Sequence, residues 1–333
     1  MHNPYAGINF GTISKISSCS HEHCLNQADF DRIVNGGVQF VAISNYYPSK
    51  PDYPLSTNYT VPEGVIGTTN AEQHNLRIYG ALKSGLHINS LGSTFSSGSG
   101  GGETPVGCNG EAVESVIQKI LNSLKYSDGG GVTINHPLWT GLKQNDIEYL
   151  LRIDKRVLGF EIYNANSQLG GPNGEGADPT DLARELVYWD NILSKGIRCF
   201  GFCVADHWGQ YSSNWTGRNI LFVDELTEQK CLKAYRKGCF YGQINNTDLS
   251  FTNIGFNGTT LNVSANNAAS IKVIINGTST TYNASTITVA IPNTAIYVRV
   301  EAHSNDDSIF SNPIMIRERP RTKTDFITNQ LLL

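Results

Sequence analysis

The chain changes character once, near residue 242, and that change sets what it can fold into. Before it, short apolar runs alternate with segments of helical period. After it, residues 249–316 are rich in Asn, Thr and Ser and carry period-2 runs, among them Ser270-Ile-Lys-Val-Ile-Ile275, Thr286-Ile-Thr-Val-Ala-Ile291 and Ile296-Tyr-Val-Arg-Val-Glu301. Successive side chains on a strand face opposite ways, so such runs make half-buried strands. Asn257-Gly258 and Asn276-Gly277 supply residues that tolerate the positive φ of tight hairpin turns. The expectation is an α/β unit over 1–243, a small antiparallel β-sandwich over 244–318, and a polar tail over 319–333.

Within the first unit, a helix over Ala28–Asn35 should stop at Gly36-Gly37 and lead into a strand over Val38–Ser44. A strand over Leu86–Leu91 comes next. Glu111–Leu124 places apolar residues at 113, 116, 117, 120, 121 and 124, a helical spacing. Then come a strand at Gly131–Asn135, a helix at Asn145–Leu151 and a strand at Val157–Tyr163. A helix at Pro179–Ser194 with Asp178 as N-cap, a strand at Arg198–Val204 and a helix at Glu228–Lys237 complete the unit. Repeated strand–helix pairs with His, Glu and Asp at strand ends point to a (β/α) barrel or related parallel sheet, whose site lies at the strands' C-terminal ends.

Charge excludes some classes of function. A net charge of -4 gives no electrostatic case for nucleic acid or an anionic membrane. The chain contains no 18-residue apolar run, and its start lacks the basic and apolar regions of a signal peptide, so a soluble cytoplasmic protein is expected. The pattern specifies no oligomeric state. The 7 cysteines form no CxxC pair and read as reduced, mostly buried thiols, with Cys19 or Cys24 a possible auxiliary ligand. The loop Gly98–Gly102 is not followed by Gly-Lys-Ser/Thr and is no P-loop, and no GxSxG motif offers a serine nucleophile.

The chemistry-bearing residues cluster in type. In Cys19-Ser-His-Glu-His-Cys24, an extended backbone would turn His21 and His23 to one side, where two imidazoles suit zinc, iron or manganese. Further candidates follow at strand ends and loops: Glu72 with His74, His87, His136 in Asn135-His-Pro137, Glu161, and Asp206-His207. His136 alone reads more readily as a hydrogen-bonded turn residue than as a ligand. Glu161 sits inside the apolar run Gly159-Phe-Glu-Ile-Tyr163, where a carboxylate must be paired with Arg or Lys or bound to a cation.

Taken in order, His-x-His, Glu, His, Asn-His-Pro, Gly-Phe-Glu-Ile-Tyr-Asn and a late Asp-His resemble the PHP (polymerase and histidinol phosphatase) family of metal-dependent hydrolases. Ala234-Tyr-Arg-Lys-Gly-Cys-Phe-Tyr-Gly242, Tyr297-Val-Arg-Val-Glu301 and Ser311-Asn-Pro-Ile314 are similar to its carbaryl-hydrolase-like branch, in which a β-sandwich follows the barrel. The resemblance spans about residues 15–316. It implies a distorted (β/α)7 TIM-like barrel with divalent metals at its C-terminal mouth. His21 and His23 would be first-site ligands, Glu72 a bridging carboxylate, and His87 and His136 ligands of a second ion. Asp206 or His207 would close the first site, and Glu161 would be a ligand or a support behind one.

Two places depart from the family pattern. Where a strand usually ends in Thr-Asp-His this chain has Ser44-Asn45-Tyr46, and the late Asp-x-His reads Ala205-Asp206-His207. An amide and a phenol are poor substitutes for Asp and His as ligands, so two metals per chain (zinc, manganese or iron) are expected rather than three. Asn45, Tyr46, Asn164 and Trp208 become candidate substrate contacts. The function implied is a metal-dependent phosphoesterase acting on a small-molecule substrate, with His207 or His74 as proton donor to the leaving group. A carboxyl ester, carbamate or amide hydrolase of the same fold is the alternative. So is a catalytically degenerate metal- or glycan-binding protein, favoured by the altered residues and by aromatics such as Tyr47, Tyr211 and Trp215.

Overall fold

The computed structural model describes residues 1–45, 53–83, 86–95, 110–169, 178, 180–207 and 216–321. Its first half runs β1 (Ser14–Cys19), α1 (Gln27–Asn35), β2 (Phe40–Val41), β3 (Ile66–Gly67), β4 (Glu72–Gln73), β5 (Leu76–Ile78), β6 (Ala81–Lys83) and β7 (Ile88–Leu91). Then follow α2 (Val113–Asn122), β8 (Gly131–Ile134), α3 (Gln144–Ile153), β9 (Val157–Asn164), α4 (Ala165–Leu169), α5 (Asp181–Ser194), β10 (Phe200–Val204), β11 (Arg218–Val223), α6 (Glu228–Lys237) and β12 (Phe240–Gln243). No described helix is long and apolar enough to cross a membrane.

Local chemistry accounts for the helix limits. Asn26 caps α1 by accepting from the Asp29 backbone N–H at 3.1 Å, and Gly36 closes it. α6 starts at Thr227 and ends at Gly238, whose φ of 75° suits the left-handed C-terminal position. The expected cap of α5 fails. Asp178 spends Oδ1 on the backbone N–H and hydroxyl of Thr180, a local turn, and the helix begins at Asp181. The strand expected at Val38–Ser44 pairs only at Phe40–Val41, although every residue of the run but Gln39 is buried. β11 and β12 were not expected. Arg-Asn-Ile-Leu-Phe-Val is an apolar run with no clean alternation, and both its faces are covered.

The fold is a sheet-rich α/β arrangement. One sheet runs β3-β2-β1-β11-β12 and continues through the sandwich strands; the other is β10-β9-β8-β7-β4. The steps β1–β2, β8–β9 and β9–β10 are parallel and bridged by helices, because parallel strands need a long crossover, whereas β7–β8 and β11–β12 are antiparallel although α2 and α6 lie between them. The steps β1–β11, β4–β7 and β7–β8 are antiparallel and break the strand–helix repeat. The closed barrel expected from the sequence is therefore not formed, since no ladder among the described residues joins β3 to β4 or β10 to β11. Side-chain amides occupy both seams. Asn70 Nδ2 donates to the Ser20 and Ala42 carbonyls at 3.1 and 3.3 Å, and Asn219 Oδ1 accepts from Cys203 N–H at 3.1 Å. Gly159 permits the close passage of β9 against β10, for a Cβ there would lie 1.8 Å from the Phe200 carbonyl oxygen.

The C-terminal strands are β13 (Ser250–Phe256), β14 (Thr260–Asn266), β15 (Ser270–Ile275), β16 (Thr278–Tyr282), β17 (Thr286–Ala290), β18 (Tyr297–His303), β19 (Ser308–Ser311) and β20 (Ile314–Met315). They are antiparallel as expected, with β13-β14-β17 forming a separate three-stranded sheet. Asn276 and Gly277, at φ 50° and 81°, turn β15 into β16 as the Asn-Gly signal requires. β12 pairs with β19, so one ladder runs past residue 243 without a break. Ile220, Phe222 and Tyr241 of the first unit share an apolar core with Phe251, Leu261 and Val300 of the second.

Candidate metal centre

β1 ends at Cys19, and its extension carries His21 and His23 inward, both buried. The loop is held by its neighbour after β10, where Asp206 N–H donates to the His21 carbonyl and His23 N–H to the His207 carbonyl, each at 3.2 Å. β4 brings Glu72 opposite Asn89 of β7, with His87 just ahead of that strand. β8 delivers Asn135 and His136, and β9 delivers Glu161 and Asn164. His136 and Asp206 both adopt positive φ, 24° and 54°, a conformation that costs about 1–3 kcal/mol and collects at functional sites.

These side chains meet at one place. His21 Nε2 lies 3.0 Å from Asp206 Oδ1 and 3.2 Å from Glu72 Oε2. His23 Nε2 lies 3.2 and 3.3 Å from the same two oxygens. The other Glu72 oxygen faces His87 Nδ1 at 2.9 Å and His136 Nε2 at 3.3 Å. Three overlapping donor triads result: His21, His136 and Asp206; His21, His23 and Glu72; and Glu72, His87 and His136. Among the described residues no Lys or Arg pairs with these carboxylates. His21 Nε2 and Glu72 Oε2 are buried and make no hydrogen bond despite their proximity, a cost unless a further partner stands between them.

The surroundings hold the donors in place. Glu161 accepts from His21 Nδ1 at 2.7 Å, from His136 backbone N–H at 2.7 Å and from Asn164 Nδ2 at 2.9 Å. Its oxygens are thereby taken, and it stands behind His21, fixing the tautomer that leaves Nε2 facing the cluster. Asn135 Nδ2 donates to Glu72 at 2.7 Å, and Asn164 Nδ2 also reaches Asp206 at 2.9 Å.

Burial disfavours protonated His21, yet the Asp206, Glu72 and Glu161 carboxylates outweigh it and raise its pKa well above the ordinary imidazole value. His23 and His136 are raised for the same reason, against burial, by Asp206 and Glu72. Glu72 is held well below the carboxylate range because His21 and His87 overcome its desolvation. Glu22 goes the other way, raised by burial and by Asp206.

Of the residues singled out in the sequence, His21, His23, Glu72, His87, His136 and Asp206 form the cluster, with Glu161 and Asn164 directly behind it. His207 turns aside to Glu22, 3.7 Å away, and burial pushes its pKa down to about 4. His74 is half-buried against the edge of His87, and burial and His87 lower its pKa. Asn45 spends both polar side-chain atoms on the Cys24 backbone, at 2.7 and 3.0 Å, and so ties down the His-bearing loop. Tyr46 and Trp208 lie outside the described residues, as do Tyr47, Tyr211, Trp215 and the Gly98–Gly102 loop. Cys19 and Cys24 are buried thiols in no disulfide; Cys24 Sγ sits 3.5 Å from the Asn26 carbonyl. Sequence reading assigned no role to Glu22, Asn135 or Trp139. The first two lay inside quoted motifs; Trp139, 53% exposed, packs at 5.0 Å on His136 and 5.9 Å on His87 and carried no signal beyond its proximity to Asn-His-Pro.

No protein-family model matches the chain, and no curated protein matches it. Among solved structures, it is similar to a two-domain protein from Bacteroides vulgatus described as containing a predicted PHP-like metal-dependent phosphoesterase. The two are 11% identical, with 95% of this chain and 98% of that one covered and a TM-score of 0.45.

Proposed function

We propose that the chain is a metal-dependent hydrolase of the PHP type, with a phosphoester of a small molecule as substrate. The observation that carries this reading is the buried pair His21 Nε2 and Glu72 Oε2, 3.2 Å apart and without a hydrogen bond, at the centre of three donor triads. Mixed imidazole and carboxylate donors suit zinc, manganese or iron, and the two ends of Glu72 suit a pair of such ions. When bound, divalent cations there supply Lewis acidity and make water a nucleophile near neutral pH. His21, His23, Glu72 and Asp206 would hold one ion, and Glu72, His87 and His136 the other.

The chain's own residues have separable tasks. Glu161 keeps the His21 proton on Nδ1, and Asn135 and Asn164 stop Glu72 and Asp206 from rotating. His207 and His74, whose pKa values burial lowers, remain the proposed donors of a proton to the leaving group. Tyr46 and Trp208 remain proposed substrate contacts, and kinship with the carbaryl-hydrolase-like branch is proposed on the sequence motifs. In this reading the two sheets are an opened form of the family's barrel. A screen of nitrophenyl phosphate, bis-nitrophenyl phosphate and nitrophenyl acetate with metal-reloaded protein tests it. Phosphoester cleavage that disappears in Glu72→Gln is expected. Cleavage of the acetate alone would move the assignment to carboxyl esters, and no cleavage of any would leave a binding protein.

A further inference from the structure

Two arginines are buried among the described residues, Arg299 and Arg218, each 2% exposed. Arg299 is fully matched: Nε and Nη2 grip the Asp190 carboxylate at 2.7 and 2.8 Å, and Nη1 reaches Glu301 at 2.6 Å. In Arg218 only Nη1 is engaged, donating to Ser17 Oγ at 3.2 Å. Its Nε and Nη2, the edge that Arg299 uses for a carboxylate, are buried and make no hydrogen bond. Two parallel N–H groups along that edge form the fork that accepts a carboxylate or phosphate through two oxygens.

Among the described residues no acid fills the fork. The buried carboxylate whose charge Arg218 feels most is Asp307, and its oxygens are already occupied. Oδ1 accepts from the Asn245 and Ser308 backbones at 2.9 and 2.7 Å, and Oδ2 from Gln243 and Thr247 at 2.6 Å each. Arg218 lines a cavity of about 440 Å³ between β1, β11, β12 and the segment leading into β13. Lys15 adds a second positive charge to that wall, Gln243 and Ser17 add polar groups, and Asp248 is the acid on the rim. Arg218 and its neighbour Asn219 face opposite sides of β11; Asn219 points inward to Ser20 and Cys203. The cavity is therefore separate from the His and carboxylate cluster.

We propose that this cavity, at the seam between the α/β unit and the sandwich, binds an oxyanion-bearing small molecule through the Nε and Nη2 edge of Arg218. Lys15 supplies the second charge, and an occupant would be held against residues of both units. The site does not depend on the hydrolase reading. Chelator-washed protein, which holds no cation to capture an anion elsewhere, is titrated calorimetrically with inorganic phosphate and, separately, with succinate. Saturable binding of either is expected, weakened by on the order of tenfold or more in Arg218→Gln and by less in Lys15→Gln. The stronger of the two titrants identifies the oxyanion. No saturable binding of either, or binding unchanged in Arg218→Gln, overturns the proposal. Should Arg218→Gln not fold, wild-type crystals soaked in selenate decide it. An anomalous peak within hydrogen-bond reach of Arg218 Nε and Nη2 supports the site; water alone there, or Arg218 paired with Asp248, contradicts it.

Discussion

On β18 of the sandwich, Arg299 lies buried between Asp190 of α5 and Glu301, with Lys272 3.1 Å from Glu301 and Tyr297 donating to Asp190 at 2.7 Å. Glu72 on β4, Glu161 on β9 and Asp206 beyond β10 lie as deep, but they face His21, His23, His87 and His136, and among the described residues no Lys or Arg pairs with them. The first cluster matches each acceptor to a donor of permanent charge, and it pins α5 to the sandwich. The second sets acceptor oxygens against ring nitrogens that carry lone pairs when neutral. Burial alone does not mark a functional site. The mismatch between the groups that are buried does, because an unmatched polar group deep in a fold needs a partner that the chain does not supply.

The comparison breaks first at Glu72, the carboxylate shared by both halves of the cluster. Glu72→Gln should abolish tight divalent-cation binding, read by titration of chelator-stripped protein with manganese or zinc; affinity equal to wild type would remove the cluster's distinguishing property. Arg299→Met tests the other side. Leaving Asp190 and Glu301 buried without their cation should cost about 3–5 kcal/mol in urea unfolding while cation affinity stays unchanged. A fall in cation affinity with stability intact would reverse the roles of the two clusters. Glu161→Gln comes next, at about 10–100-fold in cation affinity, since it loosens His21 without removing a donor from the triads. A larger loss than that of Glu72→Gln would make Glu161 a direct ligand.

The smallest effect is in pH, and it has opposite signs in the two clusters. His21 holds its proton more tightly folded than unfolded. In metal-free protein its stabilisation is therefore complete below the ordinary imidazole range and fades as pH rises through the raised value. Glu301 is held well below the carboxylate range, against burial, by His303, Arg299 and Lys272. Its contribution is present above the ordinary glutamate range and is lost as pH falls. Urea unfolding across pH should show the alkaline loss shrink in Glu72→Gln, with Asp206 and Glu161 still raising His21, and the acid loss shrink in Arg299→Met. Cation affinity should climb with pH, because binding displaces the imidazole protons.

Much of this was legible in the sequence, and for physical reasons. Helical period located α2, the spans expected for α3 and α6 fall within a few residues of those formed, and Asn276-Gly277 located the β15–β16 turn, since such signals act over short range. His21, His23 and His136 stood out only as members of one series of His, Glu and Asp at strand ends, each being a weak signal alone. What the sequence hid is long-range. β11 shows no alternation because both faces are covered, and the seams that keep the sheets from closing depend on Asn70 and Asn219, ordinary amides until their partners are known. Glu161 read as ligand or support because its partners, His21 and the His136 backbone, come from other strands. Arg218 gave no sign at all, its missing partner being visible only after the chain has folded around it.

The most direct measurement of the central claim is anomalous diffraction at the zinc edge from protein stripped with chelator and reloaded with zinc. Peaks inside the cluster are expected, with His21 Nε2, Glu72 and Asp206 oxygens at about 2.0–2.2 Å from one ion and Glu161 outside the coordination sphere. A crystal with zinc elsewhere and His21 Nε2 donating directly to Glu72 or Asp206 would contradict it.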